Sequence, residues 1–163
     1  MSPQEGAFIG LAVVGTISAF RLVSTRNVVH AALYLVVTLA MVGGVYLVLA
    51  AEFLAWVQVV IYVGAIVVLL LFSLMLTKAP IGRDTLDNQQ RGLAALVAAA
   101  VLGGLLFLVS DAFSGDRIQP VHTTTAEIGT SIFKAFVMPF EVVSILLLAA
   151  LIGAVALARK EEP

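Results

Sequence analysis

Long runs of apolar residues, separated by short polar stretches, dominate the pattern along this chain. Five such runs stand out, and a run of this length crosses the hydrocarbon core of a bilayer as a helix. They predict transmembrane helices at about residues 6–23, 28–50, 53–76, 92–110 and 135–158. The pattern therefore predicts an all-α integral membrane protein, with residues 1–163 forming a single membrane domain in the lipid bilayer.

The connections between the runs differ in length. Ser24–Asn27 and Ala51–Glu52 are tight turns, so the first three helices are expected to be antiparallel neighbours. The long connection before the fifth run carries Thr125 as a candidate N-cap. Apolar residues then recur there at helical spacing, namely Ile128, Ile132, Phe133 and Phe136. This predicts a short amphipathic helix on the membrane surface before the fifth span.

Basic residues are distributed unequally between the two sides of the membrane. Seven of the nine Lys and Arg residues fall on one side, whereas Arg117 and Lys134 fall on the other. The side that carries more basic residues is normally cytoplasmic. The sequence therefore predicts an amino terminus outside the cell and a carboxyl terminus in the cytoplasm.

Composition excludes several classes of function. The chain is 61% hydrophobic and only 12% charged, too few polar residues to cover a water-soluble core. It has no cysteine, which excludes thiolate-held iron–sulfur clusters and zinc ribbons. The net charge of -1 gives no reason to expect nucleic-acid binding. Two histidines, His30 and His122, lie on different segments, and no nucleophile–base pair, phosphate loop or metal-ligand spacing is present. We expect no metal, no bound cofactor and no catalytic centre on this chain.

The third run, which would span roughly 36 Å as a helix, contains Gln58, Tyr62 and Gly64. Gln58 and Tyr62 are four positions apart, so a regular helix places them on one face. Polar side chains at membrane depth need a partner, which predicts protein or water beside this face. An interhelical hydrogen bond of about 1 kcal/mol, without a role in transport, is an equally ordinary explanation for Gln58. Gly64 lowers the cost of leaving regular helical geometry.

Glu141 is the one carboxylate inside a predicted span, near the outer end of the fifth run, with Ser144 one turn later. Two interpretations stand beside each other. Glu141 relays protons or pairs with another subunit, as intramembrane acids commonly do. Alternatively, it is an interfacial glutamate that reaches the lipid headgroups.

The string Q-V-V-I-Y-V-G-A-I-V-V-L at residues 58–69 closely resembles the third helix of the subunit J family of bacterial respiratory complex I. The mitochondrial counterpart is the ND-six type subunit. The resemblance continues through N-V-V-H-A-A-L at residues 27–33 and through P-F-E at residues 139–141. It implies a membrane subunit of a proton-translocating NADH:quinone oxidoreductase in the bacterial plasma (inner) membrane.

The resemblance also implies partners and a moving part. Subunits of this family pack between the quinone-binding heel and the antiporter-like subunits, and FMN, iron–sulfur clusters and quinone belong to partner subunits. Their third helix can carry a π-bulge, and its switching to regular helix is thought to open and close a water path. Carried over, Tyr62 and Gly64 would lie at the bulge, and Val63 to Val67 would change register. Some members have glutamate where this chain has Gln58, which argues against direct protonation at that position.

Two other interpretations of the sequence are a stand-alone proton-coupled transporter that uses Glu141 and a purely structural membrane spacer. The inverted repeat common in secondary transporters is not visible in the sequence, which speaks against the first. The electron donor and the quinone type stay open.

Overall fold

The computed structural model describes residues 2–77, 91–114 and 123–159. These residues form helices and no strands. The helices are α1 Pro3–Ser24, α2 Val28–Val48, α3 Glu52–Leu76, α4 Arg91–Ala112, α5 Thr125–Lys134 and α6 Val137–Ala158. All but α5 are long and apolar enough to cross a membrane, which confirms the predicted all-α fold with five spans.

The first helix begins earlier than its apolar run because polar residues cap it. Ser2 Oγ accepts a hydrogen bond from the Glu5 amide at 3.2 Å, and the Ser2 amide donates to Glu5 Oε2 at 2.8 Å. This reciprocal pair is a capping box, and Pro3 at the first helical position is preorganised for the helix. The helix therefore starts at Pro3 rather than at the predicted residue 6.

The second helix ends at Val48, two residues before the predicted limit, in a turn built by the backbone. Ala50 adopts a left-handed conformation with φ 58°. The Ala51 amide donates to the Tyr46 carbonyl at 2.9 Å, and the Ala50 amide donates to the Leu47 carbonyl at 3.0 Å. These two bonds form a Schellman motif, which usually has glycine at the left-handed position. Because this position holds Ala50 rather than glycine, the sequence did not indicate that α2 ends here.

Helix α2 lies between α1 and α3 and packs on both. Leu11 of α1 lies near Gly44, and Gly15 lies near Met41, so the contacts ascend in α1 as they descend in α2. This is the order of antiparallel neighbours, in agreement with the tight turn between them. On its other side α2 contacts α3, where Gly43 lies beside Gln58. The three helices form the packed part of the described chain.

A short helix precedes the last span, as the sequence predicts, but its details differ. Its N-cap is Thr124 rather than Thr125, because the Thr124 hydroxyl accepts from the Glu127 amide in a capping box. Phe136 does not continue the helix but forms the N-cap of α6. The rings of Phe133 and Phe140 meet edge to face at 5.0 Å, which joins α5 to α6. The placement of α5 on the membrane surface stays a prediction.

The side chains described in α4 and α6 are exposed along the whole of both helices. Helix α6 packs on α5, and α4 makes no extended contact with another helix of the described chain. In a bilayer such apolar exposure is tolerated, because lipid tails are as apolar as the side chains that face them.

Candidate functional site

The middle of α3 is a π-helix that extends over Gln58–Ile66, here called the π segment. The amide of Val67 donates to the Tyr62 carbonyl five residues earlier, whereas an α-helix would use the carbonyl of Val63. Regular α-helix precedes the segment at Glu52–Val57 and follows it at Val67–Leu76. π-turns are rare and occur frequently at functional sites. Tyr62 and Gly64 both lie inside this one.

The π segment changes which residues of α3 face α2. The buried residues of α3 are Ala55, Gln58 and Val67, at 3%, 6% and 1% exposure. Gln58 and Val67 are nine positions apart, which in a regular α-helix is two and a half turns and puts them on opposite faces. The wider π turns accommodate an extra residue and rotate the second half of α3 back by about 100°. Both residues therefore lie on the α2 side.

The same rotation separates two residues that a regular helix would place together. The expectation that Gln58 and Tyr62 share a face is wrong, because Gln58 is buried and Tyr62 is 45% exposed. Val63, five positions after Gln58, is more protected than Tyr62 and takes the place toward α2. The side chain of Tyr62 instead points toward whatever surrounds the described part of the chain.

Gln58 joins α3 to α2 by a hydrogen bond. Its Nε2 donates to the Leu39 carbonyl oxygen at 3.3 Å, the interhelical bond that was one of the two explanations for this residue. Gly43 lies at this contact, where a Cβ would stand at ordinary van der Waals distance, 3.6 Å from Gln58 Cγ and 3.4 Å from Val59 Cγ2. Small residues such as the glycine pair at residues 43 and 44 allow helices to approach closely in membranes. The sequence could not identify Leu39 as the partner of Gln58, because the acceptor is a backbone carbonyl, which every residue has.

Gly64 lies in the second half of the π segment. A Cβ at this position would lie 3.4 Å from the carbonyl oxygen of Val59. This distance leaves room for a methyl group, but a β-branched side chain would crowd the carbonyl in at least some rotamers. The small residue at this position therefore suits the π geometry.

Glu141 lies apart from the π segment. It is exposed on α6, which packs on α5, whereas the π segment packs on α2. The Ser144 hydroxyl donates to the Phe140 carbonyl at 2.9 Å, within its own helix. Within the described ranges the structure does not bring Glu141 together with the other candidate residues, and both interpretations of it stay open.

Comparison with known proteins identifies one family. Residues 18–157 match the family model described as NADH-ubiquinone/plastoquinone oxidoreductase chain 6. F(420)H(2) dehydrogenase subunit J of Methanosarcina mazei is 42% identical, over 96% of this chain and 92% of that protein. NAD(P)H-quinone oxidoreductase chain 6 of Leptolyngbya boryana is 38% identical, over 97% and 81%. NADH-quinone oxidoreductase subunit J of Rhodobacter capsulatus is 32% identical, over 96% and 82%. The chain therefore belongs to the NADH-ubiquinone/plastoquinone oxidoreductase chain 6 family.

Proposed function

We propose that this chain is a membrane subunit of a proton-translocating NADH:quinone oxidoreductase. In this proposal it couples quinone reduction to proton transfer through conformational and hydration changes in α3. Family membership supports the place in the complex. The observation that carries the role of α3 is the π segment, which lies in the middle of a span, packs on α2 and contains Tyr62 and Gly64.

The proposed movement is an exchange of register in α3. In the π register, Val63 and Val67 lie on the α2 side and Tyr62 points away. If the hydrogen bonds return to the four-residue spacing, Tyr62 moves into line with Gln58, four positions before it. The half of α3 beyond the π segment then rotates by about 100° relative to the first half.

This exchange changes the polarity of the α2–α3 contact. In the π register the apolar side chains of Val63 and Val67 occupy the part of the contact beyond Gln58, and an apolar contact does not hold water. In the α register the Tyr62 hydroxyl enters the contact and offers a donor and an acceptor to a water chain. The hydrogen bond from Gln58 to Leu39 holds the first half of α3 in place, so that the rotation falls on the second half.

We assign the redox groups of this function to other subunits. The sequence has no cysteine, and the residues described here contain no group of three His, Asp or Glu able to hold a metal ion. FMN, iron–sulfur clusters and quinone therefore belong to partner subunits in this proposal, with the quinone-binding heel and the antiporter-like subunits as neighbours. The relatives are named for different donors, F(420)H(2), NAD(P)H and NADH, so the partners rather than this subunit select the donor.

The proposed location is the bacterial plasma (inner) membrane, with the amino terminus outside and the carboxyl terminus in the cytoplasm. Gentle detergent extraction, followed by identification of the proteins that co-purify, tests the place in the complex. We expect recovery with subunits that carry flavin and iron–sulfur clusters. Recovery of the chain alone, together with proton-coupled transport by the purified chain in liposomes, would favour the stand-alone transporter instead.

Deletion of Ile61 tests the role of the π segment. Removing one residue allows a continuous α-helix that still presents Gln58 and Val67 to α2. We expect the complex to assemble but to lose proton pumping and quinone-linked turnover severalfold, because α3 then has no second register. Gly64→Ala is the matched control, since the methyl group fits beside the Val59 carbonyl. Normal pumping by an assembled deletion variant would contradict the switch and favour a structural spacer.

A further inference from the structure

A small polar cavity lies where the end of α1 meets the start of α2. It has a volume of about 140 Å³ and is lined by Arg21, Ser24, Thr25, His30 and Tyr34. The larger cavity between the same helices, nearer the middle of the membrane, is lined mainly by apolar side chains such as Leu11, Met41 and Val45. The polar cavity therefore differs in character from the rest of the α1–α2 contact.

The chemistry of the lining favours an anion. Each of the five side chains can donate a hydrogen bond, and none is a carboxylate. Arg21 carries a permanent positive charge, and its guanidinium matches the geometry of a phosphate. The Thr25 hydroxyl accepts a hydrogen bond from the Asn27 amide at 3.4 Å, which leaves its hydrogen free to be donated. A ligand with several acceptor oxygens would satisfy this set.

The hydrogen-bond donors of this cavity are side chains and not the backbone amides at the amino terminus of α2. The first amides of α2 are already used, because Asn27 Oδ1 accepts from the Val29 amide at 3.0 Å and from the His30 amide at 3.4 Å. A ligand in the cavity would thus depend on Arg21, His30 and Tyr34. Their substitution is an adequate test of the site.

The position of the cavity indicates which kind of anion would reach it. Arg21 lies in the last turn of α1 and His30 in the first turn of α2, so the cavity lies at one end of two spans. That is the depth of lipid headgroups. The distribution of basic residues assigns this end to the cytoplasmic leaflet, where basic cavities between transmembrane helices bind anionic headgroups.

We propose that the cavity binds the phosphate of one anionic phospholipid. Arg21 pairs with the charge, and His30 and Tyr34 donate hydrogen bonds to the phosphate oxygens. The site depends on insertion of α1 and α2 into a membrane and does not depend on the proposed role of the π segment.

Photolabelling of the assembled wild-type complex tests the proposal. The complex is reconstituted in phosphatidylcholine vesicles that contain phosphatidylglycerol with a photoreactive headgroup, and the labelled peptides are mapped. We expect labelling within residues 20–34, and none there when phosphatidylcholine carries the same photoreactive group. Absence of label from this segment overturns the proposal. Loss of the label on addition of inorganic phosphate would identify free phosphate as the ligand and overturn the assignment to a lipid.

Variants locate the ligand within the segment. Arg21→Gln combined with His30→Gln should lower the labelling about five- to tenfold, because the double variant removes the Arg21 charge near the membrane surface. Arg26→Gln is the matched control, since Arg26 lies nearby in the connection between α1 and α2 and does not line the cavity. Equal loss in both variants would indicate diffuse attraction and overturn the site.

No label in the wild type, together with loss of a neighbouring subunit in Arg21→Gln, would identify a protein carboxylate as the occupant. Tyr34→Phe, which keeps Arg21 and His30, should lower the labelling less and tests the site if the double variant does not assemble.

Discussion

Gln58 is a buried polar side chain in a membrane span, and one hydrogen bond to α2 compensates for its burial. The Leu39 carbonyl that accepts this bond belongs to a regular α-helix, where it already has an amide partner. Loss of the Gln58 amide would therefore remove a contact without leaving a buried carbonyl unpaired. The cost of the loss should be that of a single interhelical hydrogen bond.

Gln58→Met tests this interpretation, because methionine has a similar length and no N–H donor. We expect the stability of the chain to fall by about 1 kcal/mol, the usual value of such a bond. The midpoint of SDS-induced unfolding in mixed micelles measures it. Tyr62→Phe is the control, because the Tyr62 hydroxyl is not bonded to α2 within the described chain, and its removal should leave the midpoint unchanged. An unchanged midpoint for Gln58→Met would show that the bond contributes nothing.

Ala50 is the second residue whose local geometry predicts an effect. Its left-handed φ of 58° strains a side chain that has a Cβ, and glycine removes the strain. Ala50→Gly should stabilise the chain by about 1 kcal/mol in the same measurement. Ala51→Gly, one residue later, should not stabilise, because φ at Ala51 is −92°. Equal effects of the two substitutions would contradict the explanation.

At the scale of the element, α3 combines two short α-helical parts through a π segment that aligns their buried faces. The alignment explains why Ala55 before the segment, Gln58 at its start and Val67 after it are all buried on the side of α2. Any change that makes one register much more stable than the other should therefore impair a function that needs both.

Gly64→Val is the substitution that tests this at a single position. The branched side chain would crowd the Val59 carbonyl and stiffen the segment. We expect proton pumping and quinone-linked turnover to fall severalfold while assembly is partly preserved. The measurement is the number of protons pumped per electron in vesicles, compared between Gly64→Val and the control variant Gly64→Ala. A fully assembled Gly64→Val complex that pumps normally would rule out the switch.

At the scale of the whole molecule, three helices of the described chain pack together. The other two spans expose their side chains to the surroundings. Helices α1, α2 and α3 bury residues against one another, whereas the described side chains of α4 and α6 are exposed. Glu141 is one of the exposed residues of α6. Its partner, if it has one, must therefore come from outside the part of this chain that the structure describes, which suits a subunit-pairing or proton-relay role at an interface.

Glu141→Gln separates these roles from a headgroup contact. Glutamine keeps the length and polarity of the side chain but can neither carry a charge nor release a proton, so the variant loses a proton-relay or ion-pairing role and keeps a neutral polar contact. We expect a smaller loss of pumping than for Gly64→Val. Pumping measured across the pH range checks this. Identical profiles for the two proteins would reduce Glu141 to an interfacial or packing residue.

The sequence by itself determined the number of spans and marked the third as unusual, whereas a π-bulge in it was implied only by the family resemblance. Both are local properties: apolar length decides whether a helix can cross a bilayer, and polar residues within an apolar run mark a special position. The start of a helix also depends on residues close to it in the sequence. The predicted N-cap of α5, Thr125, was nevertheless one residue later than the observed Thr124. The end of α2 was missed because alanine occupies a position that usually signals itself with glycine.

Only the tertiary structure decided which side of α3 meets α2. A regular helix predicted that Gln58 and Tyr62 share a face, and the π segment instead puts Val63 and Val67 on the buried side with Gln58. The π segment packs against α2, where Gln58 lies beside Gly43 and donates a hydrogen bond to the Leu39 carbonyl. The cavity lined by Arg21 and His30 arises in the same way, because residues that are separated along the chain meet only when two helices pack.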